Sequence, residues 1–283
     1  ECMTFKVTVN TFKFLMILGL TLSIPNISYS QKLVIGFKAG ASLSKSRFAD
    51  KDDNNEFTNL WKPGLLFGAI SANLPVKKNF SFLSEVGFSQ RGRKIEFNEG
   101  TWLNNSSYQF IDGSLLLRKS FPLNWSRNQI GSWFINIGPK ISYWISGHGK
   151  IIADGESTDY TIKFQNQPEN PVAPDFYTMY LSDVNRWLLG IDFGIGVDAP
   201  SLALEKFTFE LRFTSGQTYY GEKNSAYYPA PEFSDNLLAN EKMISLSVHY
   251  SLNRDSKEGK QGKSTKNDVK RSKPRKNFDS VLH

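Results

Sequence analysis

The stretch FTFELRFT, residues 207–214, alternates strictly between apolar and polar side chains. A β-strand points successive side chains to opposite faces, so the apolar residues share one face and the polar residues, which include Glu210 and Arg212, share the other. A soluble sheet buries its apolar face in a core, whereas a transmembrane barrel turns that face to lipid and encloses the charges. The placement of these two faces therefore decides the fold and limits the function.

Seven further segments have the character of strands, with ends uncertain by a few residues, at 32–44, 61–74, 80–97, 108–121, 133–145, 187–197 and 242–252. Short links are expected between some of them, at 75–79, 122–131 and 199–205. Longer polar links are expected between the others, at 47–60, 98–107, 149–185 and 215–240. Short turns at one end and long loops at the other are typical of an outer-membrane barrel with both termini on the periplasmic, short-turn side. The prediction is an all-β fold, an eight-stranded antiparallel up-and-down transmembrane β-barrel.

The spacing of aromatic residues supports a membrane-spanning strand. Trp133 and Tyr143 lie ten residues apart on one predicted face, which is roughly 33 Å of strand at about 3.3 Å per residue. A tilt of about 40° projects this length to roughly 25 Å, the height of an outer-membrane apolar band with aromatic girdles. Trp187 begins the next predicted strand and is expected to lie at the outer rim. We predict an aromatic girdle of Trp133, Tyr143 and Trp187.

The opposite, inward face of the predicted strands carries balanced charges. Five cations and five carboxylates are expected there: Lys38, Arg91, Arg118, Lys140 and Arg212, and Glu85, Asp112, Asp192, Asp198 and Glu210. The lumen of an eight-stranded barrel is just wide enough for side chains to fill, and buried charges are tolerated when they are paired. The sequence thus predicts a structural ion-pair network that plugs the lumen.

The two ends of the chain differ in composition from its body. Lys6 and Lys13 precede an apolar run at 14–24, and Ser28 and Ser30 are small residues that a signal peptidase accepts, so residues 1–30 are expected to be a signal peptide. Residues 31–253 are expected to form the barrel. Residues 254–283 contain ten Lys or Arg and four Asp or Glu, most of the net charge of +7, and we expect a disordered basic C-terminal tail. The charge therefore does not indicate a nucleic-acid partner.

Catalytic candidates are sparse. The three histidines are His148 at a loop mouth, His249 on the inward face of the last strand, and His283 at the chain end. A lipid hydrolase needs a histidine beside a nucleophilic serine and a carboxylate, and no motif marks such a serine. No metal-ligand spacing is present. We expect no enzymatic activity, no catalytic residue, no cofactor and no metal site.

Two long links are candidates for contact with other molecules. Residues 149–185 and 215–240 are rich in aromatic side chains, among them Tyr177, Tyr180 and Tyr220. Aromatic-rich loops on a rigid scaffold bind partners or pack as rims, and both interpretations stay open. The expected partners are outer-membrane lipid and, through these links, envelope or secretion proteins. The sequence does not indicate an oligomeric state.

Several segments resemble the PorT-like family of small outer-membrane β-barrels from Gram-negative bacteria. The resemblance rests on VIGFKAGASLS, KPGLLFGAI, FSFLSEVGFSQRG, INIGPKISYWISG and GIDFGIGVD, and it covers about residues 31–252. These segments are mostly a pattern of alternation and glycine, so the resemblance implies the barrel and no catalytic residues. Some members of the family are similar to secretion-system accessories. The basic tail departs from the simplest members, which end near the last strand.

Three functional hypotheses follow. The leading one is an exported outer-membrane barrel with a structural or interaction role, as a secretion or envelope accessory. The second is a barrel-embedded lipid-modifying enzyme that uses His249 or His148. The third is a soluble lipocalin-like carrier, which would need an apolar lumen and a polar exterior.

Overall fold

The computed structural model describes residues 33–77, 79–97, 102–126, 129–153, 155–166, 177–199, 206–223, 225–228 and 233–252. The expected signal peptide and basic tail lie outside these residues, so both stay predictions. The longest described helix, Lys51–Glu56, has six residues, and no helix in the described ranges is long and apolar enough to cross a membrane.

Thirteen strands and one short helix make up the described structure. In chain order they are β1 Val34–Phe48, α1 Lys51–Glu56, β2 Thr58–Leu60, β3 Lys62–Lys77, β4 Phe80–Phe97, β5 Trp102–Ser126, β6 Gln129–Ala153, β7 Glu156–Lys163, β8 Thr178–Leu181, β9 Trp187–Asp198, β10 Phe207–Gly216, β11 Ala226–Tyr228, β12 Phe233–Asp235 and β13 Ala239–Ser251.

Eight of these strands close into a ring. Each pairs antiparallel with its neighbour in the order β1, β3, β4, β5, β6, β9, β10 and β13, and β13 returns to β1. Closure removes the unpaired edges that an open sheet would leave. The predicted eight-stranded up-and-down barrel is confirmed.

The two ends of the ring differ. The links between β3 and β4, β5 and β6, and β9 and β10 lie at one end together with Val34 and Ser251; we call this the turn end. The loop end carries α1 and β2 between β1 and β3, β7 and β8 between β6 and β9, and β11 and β12 between β10 and β13. The predicted alternation of link lengths thus holds at three of the four loop-end links.

The fourth loop-end link and three other predicted links need correction. Residues 102–107, 122–126, 129–131 and 149–153 are expected in links but belong to β5 and β6, which are both 25 residues long. The interior of the links at 149–185 and 215–240 also contains strands, β7, β8, β11 and β12. Because about ten residues span a membrane, the outer parts of β5 and β6 need no apolar outward face. The alternation used for prediction therefore stops before the strands do.

Above the ring, the long strands continue as an extended sheet. β7 pairs with the outer part of β6, β8 pairs parallel with β7, and β11 and β12 follow. A second small addition is β2, which pairs with β4. Much of the described part of the loop end is thus sheet.

Candidate functional site

The outward face of the ring is apolar around its circumference. Phe37, Val86, Ile137, Ile191 and Leu246 are each about half exposed or more, on five different strands. All ten predicted inward charges are buried, each with at most 9% of its surface exposed. A soluble protein shows the reverse distribution.

One group of interior charges centres on Arg212. Its Nε donates to Glu210 Oε1 at 2.6 Å, and its Nη1 lies 2.6 Å from Glu85 Oε2 and 3.3 Å from Asp192 Oδ2. Lys38 Nζ lies 2.9 Å from Glu210 and 3.2 Å from Glu85. We call these five residues the Arg212 cluster. It joins strands from around the ring across the lumen.

Hydroxyl groups complete the coordination of Asp192, which is fully buried. Ser114 and Thr214 donate to its two carboxylate oxygens at 2.9 and 2.6 Å. A buried carboxylate held by a cation and by hydroxyl donors is electrostatically satisfied. The charges of the cluster are therefore paired rather than isolated.

A second group lies nearer the loop end and centres on Arg91. Its Nη1 lies 2.8 Å from Asp112 Oδ2 and its Nε lies 2.7 Å from Glu241 Oε2. Lys140 Nζ lies 3.3 Å from the same Asp112 oxygen, and the guanidinium of Arg91 stacks 3.9 Å from the ring centre of Phe110. We call Arg91, Asp112, Lys140 and Glu241 the Arg91 cluster.

The two remaining predicted charges lie near the turn end. Ser132 and Thr208 donate to Asp198 at 2.6 and 2.7 Å. Arg118 lies with its guanidinium 3.7 Å from the ring centre of Phe134, a cation–π contact. Arg118 thus contacts an aromatic ring, and Asp198 accepts hydrogen bonds from two hydroxyl groups.

Two interior charged residues were not predicted. Glu241 is 8% exposed, and Arg93 is fully buried, with its Nε donating to Ser46 at 3.1 Å and its Nη2 to the Asn236 carbonyl at 2.8 Å. The predicted last strand began one residue too late to include Glu241. Continuing its alternation by one residue would have placed Glu241 inward, and the same alternation along β4 would have included Arg93.

Glycines on the inward face allow the lumen to be filled. A Cβ on Gly194 would overlap Asn136 Oδ1 and Glu210 Oε1, and a Cβ on Gly196 would overlap the Phe134 ring. These close approaches leave room for the neighbouring polar and aromatic side chains.

An aromatic cluster covers the ring at the loop end. Trp144 is fully buried, and its ring centre lies 4.5 Å from Tyr108 and 5.5 Å from Tyr220. Ile151 of β6 and Leu237, which lies between β12 and β13, pack in the same core. We call this core the aromatic cap. Burial also raises the pKa of the Tyr220 phenol well above its usual range.

Two of the aromatic residues considered for contact with partners belong to packed structure. Tyr220 and Tyr180 are 1% and 2% exposed, whereas Tyr177 is 61% exposed. The link at 215–240 also contacts α1, because Lys223 donates to Asp53 at 2.9 Å. This hydrogen bond raises the pKa of the Lys223 ammonium. The link that contains Tyr220 therefore acts partly as a rim of the fold.

The predicted girdle residues lie on the outward face at two levels. Tyr143 and Trp187 are cross-strand partners with ring centres 4.7 Å apart, toward the loop end. Trp133 lies toward the turn end and stacks on Phe121 at 4.3 Å.

The structure places a serine beside His249 that the sequence did not indicate. Ser71 Oγ lies 2.5 Å from His249 Nε2, inside the barrel near the turn end. Within the described ranges, no carboxylate hydrogen-bonds His249, and no group of His, Cys, Asp and Glu could hold a metal ion. His148 is exposed on β6 and pairs with Thr161, and His283 lies outside the described residues.

Residues 29–217 match the family model described as outer membrane protein beta-barrel domain. The chain belongs to this family. The closed ring with an apolar exterior and a charged interior agrees with that membership, and a barrel of this family resides in the outer membrane. None of the curated proteins matches the chain.

Solved barrels similar to this one include three small outer-membrane proteins. OprG of Pseudomonas aeruginosa is 10% identical, with a TM-score of 0.40, 78% of this chain and 95% of that chain covered. Neisserial surface protein A is 10% identical, with a TM-score of 0.34 and coverage of 77% and 97%. Ail, the attachment invasion locus protein of Yersinia pestis, is 9% identical, with a TM-score of 0.33 and coverage of 77% and 98%.

Proposed function

We propose that this barrel has a structural or interaction role in the outer membrane and that its lumen is plugged by ion pairs. The observation that carries this proposal is the Arg212 cluster, in which Arg212 and Lys38 together contact Glu85, Glu210 and Asp192 across the lumen. A lumen of eight strands has room for side chains and little else. The aromatic cap adds a second barrier at the loop end.

Conductance in planar lipid bilayers tests the plug. We expect the wild-type chain to give no steady ion-conducting steps, whereas the variant Lys38→Ser/Glu85→Ser, which removes one cation and one carboxylate of the plug, is expected to give small ones. Heat-modifiable gel migration verifies that both proteins are folded. Steady porin-like conductance of the folded wild-type protein would overturn the proposal.

We further propose that the loop end faces the cell exterior and that both termini lie in the periplasm, with Trp133, Tyr143 and Trp187 at the membrane interfaces. Barrels of the outer membrane have short turns on the periplasmic side and long connections outside. Tyr177→Cys and Pro122→Cys place a thiol at exposed positions of the loop end and the turn end. A membrane-impermeant maleimide should label only Tyr177→Cys in intact cells, and labelling of only Pro122→Cys would reverse the orientation.

An interaction with envelope or secretion proteins is proposed for the described surface of the links at 149–185 and 215–240. The support is that these links form an ordered sheet layer with exposed Tyr177, so a partner would meet a preformed surface. A photocrosslinking residue at Tyr177 is expected to capture an envelope or secretion protein in living cells. The same residue at outward-facing Leu246 serves as a control and should react with lipid alone. Equal capture at both positions would contradict this part of the proposal.

The two alternatives fit the geometry less well. A lipid-modifying enzyme needs its histidine at the lipid-facing surface, and His249 lies inside the ring. A soluble carrier needs an apolar lumen, and the interior holds the Arg212 and Arg91 clusters.

A further inference from the structure

Two lysines face each other across neighbouring strands on the outward face of the ring. Lys45 of β1 is the direct register partner of Lys242 of β13, and Arg47 follows two residues later on the same face as Lys45. We call these three residues the basic patch. Directly opposed residues have Cβ atoms about 4.5–5.5 Å apart, and like charges at that distance are destabilising.

The basic patch has no ion-paired carboxylate among the described residues. None of its three side chains forms an ion pair with another residue in the described ranges. The adjoining outward position on β10, opposite Lys242, is Ser215. Glu241, which precedes Lys242 in the chain, points inward and contacts Arg91 at 2.7 Å. Within the described part of the chain, these three cations therefore lie on the outward surface without an ion-pair partner.

The level of the patch places it at the boundary of the apolar band. The next register pair toward the turn end is Leu43 and Ile244, which are 44% and 38% exposed on the outward face. Two residues of strand are roughly 7 Å, so the cations begin about one headgroup layer beyond the apolar surface. Lys and Arg at such positions extend their charges toward lipid headgroups.

We propose that the basic patch binds phosphate groups on anionic lipids of the leaflet at the loop end. A phosphate between Lys45 and Lys242 would convert their repulsion into two attractions, and the Arg47 guanidinium can donate to a phosphate in a bidentate manner. The assignment of this leaflet as the outer one rests on the orientation proposed above. The binding itself does not depend on that orientation.

Binding of defined lipids to the full chain in detergent tests the proposal. The probes are diphosphorylated lipid A, the same lipid A after removal of its phosphates, and phosphatidylcholine, with bound lipid counted by native mass spectrometry. We expect the wild-type chain to prefer the diphosphorylated probe. The variant Lys45→Gln/Arg47→Gln/Lys242→Gln is expected to bind diphosphorylated lipid A at least about tenfold more weakly than the wild type does. The matched control Lys51→Gln/Lys150→Gln/Lys163→Gln removes three lysines elsewhere at the loop end and should bind as the wild type does.

A charge reversal gives an independent measurement. Lys242→Glu places opposite charges at the register pair, so it should raise the unfolding temperature in lipid-free neutral detergent and weaken lipid A binding. Equal affinity of the patch variant and the wild type, an equal loss in the control variant, or equal binding of the dephosphorylated probe would overturn the proposal. Labelling of Pro122→Cys in intact cells would instead overturn the orientation and leave the binding result standing.

Discussion

Arg212 and Glu210 are two residues apart on β10, and the Arg212 Nε donates to the Glu210 carboxylate at 2.6 Å. Because side chains two apart on a strand share a face, this contact is available as soon as the strand forms. The other contacts of Arg212, to Glu85 of β4 and Asp192 of β9, exist only in the closed ring. Arg212 thus makes one contact that the alternation of β10 provides and two contacts that require the closed ring.

Removing the central cation of this cluster should destabilise the barrel strongly. Arg212→Met leaves Glu85 and Glu210 with Lys38 as an ion-pair partner and removes the ion pair of Asp192, which keeps its hydroxyl donors Ser114 and Thr214. Breaking a buried ion pair costs about 3–5 kcal/mol. Urea unfolding in lipid vesicles, followed by tryptophan fluorescence, measures the change in the free energy of unfolding. Lys51→Met, at an exposed position of α1, should change it by less than about 0.5 kcal/mol. An unchanged stability of Arg212→Met would show that the cluster does not hold the ring together.

Two inward glycines of β9 should differ in their tolerance of a methyl group. Gly194→Ala would overlap Asn136 and the carboxylate of Glu210, whereas the nearest atom to a Cβ at Gly190 is the Ser215 carbonyl oxygen at 3.2 Å. We expect Gly194→Ala to lower the free energy of unfolding by about 1–3 kcal/mol, and Gly190→Ala to lower it by clearly less. The folded fraction on heat-modifiable gels across a temperature series measures both. Similar losses in the two variants would mean that the lumen is less tightly filled than the contacts indicate.

The aromatic cap should depend on Trp144. Trp144→Ala removes a fully buried indole next to Tyr108 and Tyr220, a change that costs about 3–5 kcal/mol. Because the cap packs the extended sheet against the loop end of the ring, the effect should be concentrated in the extended sheet. Limited proteolysis of reconstituted protein should therefore cut the outer part of β5 to β8 in this variant and leave the ring intact.

A matched tryptophan provides the control for this experiment. Trp187 is 46% exposed on the outward face, so Trp187→Ala leaves no internal cavity. We expect its extended sheet to resist protease as in the wild type. Rapid cleavage of both variants at the same sites would contradict a separate role for the cap.

His249 should act as a structural residue. Its Nε2 contacts Ser71 Oγ at 2.5 Å inside the ring, and the lipid surface lies on the other face of the strand. We expect His249→Ala, and likewise His148→Ala at the second candidate histidine, to leave the acyl-chain pattern of extracted membrane lipids unchanged in mass spectra. A shift in that pattern with either variant would revive the lipid-modifying enzyme.

The alternation of the sequence was sufficient to predict the eight-stranded ring. Residues such as Asp192 and Ile191 alternate in charge and apolarity, and the closed ring buries the first and exposes the second. The prediction was less accurate beyond the membrane-spanning part of the strands, where an outward side chain need not be apolar. The outer parts of β5 and β6 and the strands β7, β8, β11 and β12 were assigned to loops, because polar strands outside a membrane carry no apolar outward face.

By itself, the sequence determined which face of the barrel wall most side chains of the ring occupy, since that depends on the period of two along a strand. A β-bulge such as the one between Leu66 and Gly68 of β3 shifts this period, so that Leu65 and Ile70 both face outward. Only the tertiary structure decided which charges meet. Lys38 and Glu85 are 47 positions apart, and Lys38 and Glu210 are 172 apart. Their contacts depend on the register of eight strands and on ring closure, which no local pattern contains. The opposition of Lys45 and Lys242 has the same origin, because β13 becomes a neighbour of β1 only when the ring closes.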